Sequence, residues 1–198
     1  MFPAGSQHTD GRMSPLATLS ASAPLVSRCV VFSVAGRALA LPMDSVRRFL
    51  PLPKLDRLPT APPPVEGVFR YHGEIVPVLR LSALLDLDGG EGAGLYAPLM
   101  LVTWQGRPLA LLADRIHGDV AVPVDAMLPA EAALSFNGCA IAGFADPAAG
   151  PGGTVALLDP GRLLSAAEGR LLDAFRDAEE RRLNQWSVDA VPPEDSAP

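Results

Sequence analysis

The chain has 198 residues, a formal charge of −6 and an apolar content of 48%. That length and apolar fraction suit one or two small domains with a real core, and exclude a chain disordered throughout. The acidic balance speaks against a general nucleic-acid binder, and 18 glycines with 21 prolines favour short strands and turns over long helices.

Residues 1–27, rich in Ser, Ala, Pro and Gly, read as a disordered N-terminal tail. No apolar run approaches the roughly 18 residues of a membrane helix, so no direct membrane insertion is expected. The stretch before Ser20-Ala21-Ser22-Ala23 is too short and polar for a signal peptide. Cys29 and Cys139 are the only cysteines, and no Cys-x-x-Cys occurs. Two free, buried thiols in a cytoplasmic protein are expected rather than a disulfide.

At Arg28 the texture changes. Val30–Val34 and Ala38–Leu41, parted by Ala35-Gly36-Arg37, predict a hairpin that Pro42 ends and a turn at Met43-Asp44-Ser45-Val46 follows. The pattern returns 70 positions later, where Leu101–Ile116 matches Val31–Val46 at six of sixteen positions. Gly36-Arg37 meets Gly106-Arg107, Leu39-Ala40-Leu41 meets Leu109-Ala110-Leu111, and Asp44 meets Asp114. A second block, Gly73–Leu79, is echoed by Gly152–Leu158, and each copy leads into a leucine pair, Leu84-Leu85 and Leu163-Leu164. Two β-rich copies predict two small barrels or sandwiches, because a lone hairpin cannot bury its apolar face. Residues 86–96 form the linker between them. Beyond Leu163 the period becomes helical, through Leu164, Leu171, Leu172, Phe175, Ala178, Arg182 and Trp186. A C-terminal helix over 163–190 is predicted, with a charged face at Glu179-Glu180-Arg181-Arg182 and a tail over 191–198.

Catalytic chemistry is thin. The histidines are His8, His72 and His117. Asp114, His117 and Asp119 could hold a metal loosely, but Asp44 occupies the same corner of the first copy without a histidine, and zinc-ligand spacings are missing. No metal site and no cofactor are expected. No Gly-x-Ser-x-Gly elbow occurs. The glycine-rich run 89–94 lacks the Gly-Lys-Ser/Thr ending of a phosphate cradle, and Asp86, Asp88 and Glu91 would repel phosphate. These residues point to a binding module rather than an enzyme.

Gly67-Val68-Phe69-Arg70-Tyr71-His72-Gly73-Glu74-Ile75-Val76-Pro77-Val78-Leu79-Arg80-Leu81 resembles the signature of the CheW family of bacterial chemosensory coupling proteins, loosely Gly-Val-Ile-Asn-Leu-Arg-Gly-x-Ile-Val-Pro-Val-Ile-Asp-Leu. The opening Val31–Val34 strand, the Leu111–Ile116 block and the Leu157–Leu164 close extend the resemblance from about Cys29 to Phe175. It implies a mainly β fold of two five-stranded, SH3-like barrels in tandem, with short helices and a C-terminal helix. A single CheW-like domain over 28–175 follows, with barrel one about 28–85 and barrel two about 97–160.

The resemblance also implies a non-enzymatic adaptor, cytoplasmic and at membrane-associated receptor arrays. Such a protein couples the cytoplasmic tip of a methyl-accepting receptor to the regulatory domain of a CheA-type histidine kinase. Val46, Arg48, Arg70 and His72 fall where the family approaches the receptor, and Phe49, Leu50 and Leu52 are candidates for an apolar kinase contact. Gly67, Gly73, Pro77, Asp44 and Asp114 are expected to be structural. Pro77 within a strand suggests an edge or bulge. Arg70, Tyr71, His72 and Arg80 depart from the family's Asn, Leu, Arg and Asp. Residues two apart on a strand share a face, so Arg70 and His72 are expected to project together. The alternatives are a divergent member of a non-flagellar pathway that has lost or changed one partner, and a small β-barrel ligand-binding protein or enzyme.

Overall fold

The computed structural model describes residues 26–57, 61–87, 97–130 and 138–188, with Gly94 and Phe136. Most of the expected N-terminal tail and linker, and the whole C-terminal tail, lie outside the described residues. Strand β1 (Val26–Val34) takes in the last two residues of the expected N-terminal tail. A turn at Ala35-Gly36 leads into β2 (Arg37–Pro42), and a 3-10 turn at Met43–Ser45 leads into β3 (Val46–Pro51). Then come β4 (Val65–Tyr71), β5 (Glu74–Arg80) and the single-turn helix α1 (Leu81–Leu84). The second copy supplies β6 (Pro98–Trp104), β7 (Arg107–Leu112), β8 (Arg115–Pro123), the two-residue β9 (Leu128–Pro129), β10 (Ala140–Ala145) and β11 (Thr154–Leu158). Helix α2 (Ala166–Val188) closes the order.

The repeat is a structural one. The two hairpin tips are equivalent: Ala35 and Gly36 have φ of 48° and 72°, Gln105 and Gly106 have 48° and 80°. Two successive positive φ values make the mirror-image turn whose twist matches the strands it joins, and glycine takes the second position without strain.

The fold is the expected tandem of SH3-like barrels, but neither barrel is built from one copy alone. One sheet has the order β8-β1-β2-β11-β10-β9 and the other β3-β6-β7-β5-β4. Each sheet takes its leading hairpin from one copy and its other strands from the other. β3 leaves its own hairpin to pair with β6, and β8 reciprocates by pairing with β1. β11 joins β2 in parallel, and β5 joins β7 in parallel. The expected division at 28–85 and 97–160 is therefore corrected: the first sheet draws on 26–42 and 115–158, the second on 46–112. The first sheet also carries a sixth strand, β9. The second closes with one bridge, Asp56 to Val68, hydrogen-bonded in both directions at 2.9 and 3.0 Å.

This exchange explains the repeated Leu-Ala-Leu. Leu39, Leu41, Leu109 and Leu111 all enter one large apolar seam shared by the two sheets, together with Phe32, Met100 and Trp104. Ala40 faces the opposite side of its sheet, among Val31, Phe144 and Val155, and Ala110 does the same among Phe69, Val78 and Leu101. The central strands are buried on both faces, so they read as continuous apolar runs rather than alternating ones.

Helix α2 starts at Ala166 because Ser165 and Glu168 form a capping box: Ser165 N–H donates to Glu168 Oε2 at 2.8 Å, and Glu168 N–H to Ser165 Oγ at 3.3 Å. Its buried face is Gly169, Leu172, Phe175, Arg176 and Glu179. Leu171, Ala178 and Arg182, expected on that face, are exposed, whereas Glu179 is buried. The charged residues 176 and 179 continue the buried stripe at i+4 and i+7 from Leu172, which an apolar periodicity search skips.

Among the described residues no helix is long and apolar enough to cross a membrane.

Candidate functional site

The candidate residues lie along β3, at the edge of the second sheet, and at the tip of the β4–β5 hairpin. In β3, Val46 faces Val102 and Arg48 faces Leu101, which leaves Arg47 as an extra, unpaired residue. This β-bulge matters for direction. In a regular strand Arg47 and Arg48 would point to opposite faces; a bulge re-aims a side chain. Both arginines line one cleft of about 480 Å³, together with Tyr71, His72 and Glu74.

His72 and Gly73 form the two-residue turn between β4 and β5, with φ of 50° and 87°. The His72 ring stands edge-on to Tyr71, centroids 4.3 Å apart, and Tyr71 meets Phe69 at 6.3 Å. Strand alternation thus stops at Tyr71, and the expectation that Arg70 and His72 share a face is corrected. Arg70 lines a neighbouring cleft of about 300 Å³ against α2, with Arg107, Arg176 and Glu180. Glu74 and Pro108 border both clefts.

Arg48 and His72 are therefore brought together, while Arg70 sits next door. Val46 is half-buried and packs on the apolar seam. Leu50 and Leu52 are half-buried against the inner core of the second sheet, and Phe49 is 43% exposed. Arg47 and Glu74 were not singled out by the sequence reading, and Tyr71 only as a departure from the family motif; the Arg-Arg pair within an otherwise apolar strand is the signal that could have found Arg47.

Gly67, Gly73, Pro77, Asp44 and Asp114 sit as follows. A Cβ on Gly67 would lie 3.0 Å from both the Asp56 carbonyl oxygen and Leu55 Cβ, so glycine permits the bridge that closes the second sheet. Pro77 is not at an edge: β5 lies between β4 and β7. Pro77 faces Val68, whose own N–H donates away from β5 to Asp56, and the β7 ladder begins at Val78, so no donor is missed at 77. Asp114 accepts from Ala35 N–H at 2.7 Å. Its repeat partner Asp44 lies exposed in the 3-10 turn after β2.

Arg80, where the family motif has Asp, forms an ion pair with Glu66, which Arg57 also holds. The loose metal candidates are engaged separately. Asp114 holds Ala35, and Asp119 pairs with Arg28, whose hydrogen bond and charge lower the Asp119 pKa. His117 is the extra residue of the bulge where β8 meets β1.

Behind the arginine cleft, Arg107 ties the β6–β7 tip to α2. It reaches Asp177 at 3.0 Å, Glu180 at 3.3 Å and Asp173 at 3.6 Å. Arg176 is 1% exposed and donates to the Pro108 carbonyl at 2.9 Å. Burial, then the Arg107 charge, pull its pKa below the ordinary guanidinium value, against Asp173, Glu180 and Asp177.

A protein-family model described as a CheW-like domain matches residues 28–168. No curated protein sequence matches the chain. Among solved structures, the scaffolding protein TtCheW from Thermoanaerobacter tengcongensis is similar in fold, with a TM-score of 0.64 and 17% identity. The match covers 72% of this chain and 94% of that one.

Proposed function

The chain belongs to the CheW-like family, and we propose that it is a non-enzymatic adaptor coupling a methyl-accepting receptor to a CheA-type histidine kinase. The observation that carries this reading is the CheW-like domain itself, spanning residues 28–168. The receptor tip contacts the cleft of Arg48 and His72, with Arg70 beside it; Val46 sets the position of that edge from within the seam. The kinase regulatory domain docks along β3, where Phe49 is the exposed anchor and Leu50 and Leu52 lie half-buried against the inner core of the second sheet. An exposed aromatic beside arginines is the composition that protein interfaces favour. The adaptor works in the cytoplasm, at receptor arrays.

The test is reconstitution. The full chain is mixed with the receptor tip and with the kinase regulatory domain from the same organism, separately and together, and association is followed by sedimentation. Binary binding to each, and a ternary complex, are expected. Phe49→Ala should weaken the kinase complex and spare the receptor complex. Binding to neither partner ends the reading.

A further inference from the structure

We propose that the cleft between the β3 bulge and the β4–β5 tip is a socket for an acidic segment of a partner protein. Arg47 and Arg48 are the carboxylate-binding pair, and His72 and Arg70 stand at its border. The inference rests on the adaptor reading for which partner arrives, and adds the chemistry of the contact.

The repeat supplies an internal control. The same bulge occurs in the second copy, where β8 faces β1: Ile116 pairs with Phe32 and Gly118 with Val31, leaving His117 extra. The fold thus builds this bulge with His117-Gly118 in one copy and Arg47-Arg48 in the other. Two adjacent arginines are not what the backbone requires there.

Charge pairing gives a second, independent argument. Among the described residues, seven arginines are ion-paired to carboxylates of this chain. Among the described residues Arg47, Arg48 and Arg70 have no carboxylate within 4.0 Å; Glu74 is the one acid lining the Arg47–Arg48 cleft, and the Arg70 cleft has Glu74 and Glu180, the latter engaged by Arg107. This positive surface sits on a chain of net charge −6. Its attraction is therefore local, and fits a few placed carboxylates better than a polyanion. A guanidinium presents planar, paired donors that a carboxylate matches in bidentate fashion. Tyr71 adds an aromatic wall, so the segment it fits carries Asp or Glu next to an apolar side chain.

The experiment compares the full wild-type chain with Arg47→Glu/Arg48→Glu and with a charge-matched control, Arg37→Glu/Arg115→Glu, both exposed and outside the cleft. Each is titrated with the receptor tip at 50 and 300 mM NaCl, and with a synthetic peptide alternating Glu and Leu, while arginine side-chain NMR signals are followed. Kinase regulatory domain binding is measured in parallel. The expected result is roughly tenfold weaker receptor binding for the cleft variant alone. Wild-type affinity should fall with salt, and peptide-induced shifts should be confined to Arg47, Arg48 and Arg70. Equal binding by the two variants, or shifts spread over Arg37 and Arg115, overturns the socket even if the receptor binds. If the receptor does not bind wild type but the peptide shifts remain confined to the cleft, the socket stands and the receptor assignment fails.

Discussion

The backbone N–H of Ala35 donates to Asp114 Oδ2 at 2.7 Å, across 79 positions of sequence. Asp114 N–H in turn donates to the Ser33 carbonyl at 2.9 Å. Asp114 stands where the second copy crosses from one sheet to the other, so these two bonds pin that crossing to the tip of the first hairpin. A charged acceptor on a backbone donor makes one of the stronger hydrogen bonds. Asp114→Ala should cost about 1–2 kcal/mol in urea unfolding. Asp44→Ala should cost far less, since Asp44 makes no equivalent side-chain bond among the described residues. Equal losses would show that the crossing does not depend on this contact.

Gly169 faces the Trp104 ring so closely that an added Cβ would sit 2.2 Å from its Cη2 atom. Alanine gains about 1 kcal/mol over glycine in a helix interior. Overpacking a buried site costs about 1–3 kcal/mol. The second effect wins because Trp104 is 3% exposed and lies in the seam. Gly169→Ala should therefore lower Tm, and adding Trp104→Phe should recover part of the loss by making room for the methyl group.

Cys29 and Cys139 are free and buried. Burial pushes the Cys29 thiol pKa up, opposed by a hydrogen bond with Ser27 and aided by the Asp44 charge. Burial does the same for Cys139, with the Glu168 and Asp159 charges adding to it and Arg162 opposing. A thiol reagent at pH 8 should react slowly with the native protein and find two thiols at once after denaturation. A raised folded pKa means that the unfolded chain releases its proton first. This contribution to stability is intact below about pH 8.5 and is lost as pH rises from there toward the folded values. Cys29→Ala/Cys139→Ala should flatten that alkaline decline.

Arg107 faces three acids of α2. Arg107→Ala should leave them mutually repelling and destabilise the docked helix by about 1 kcal/mol, a modest figure because the partners are half-exposed. Hydrogen exchange over 173–180 should rise, and added salt should restore part of the protection. Unchanged exchange there would place the helix's hold entirely in Leu172, Phe175 and Arg176.

Much of the local structure was legible in the residues. The hairpins at Ala35-Gly36 and Gln105-Gly106 are carried by turn chemistry, and the seam leucines by repetition of Leu-Ala-Leu. The helix start was not: a helix over 163–190 was expected, and the Ser165–Glu168 capping box sets its start at Ala166. The site was only half legible. Arg48 and His72 do meet in one cleft, but Arg47 reaches it through a bulge that strand alternation does not foresee, and Arg70 is turned away because His72 belongs to a turn rather than to β4.

The sequence by itself determined the two copies, their hairpins, the strand-rich composition and the free thiols, because each depends on residues close together in the chain or on its composition. Only the tertiary structure decided that β3 and β8 exchange places between sheets, that Pro77 sits in an interior strand, and that Arg176 and Glu179 belong to a buried helix face. A strand edge offers the same N–H and C=O groups to any partner, so its choice is made by which arrangement buries most apolar surface. Here that arrangement is the shared seam, where the leucines of both copies meet.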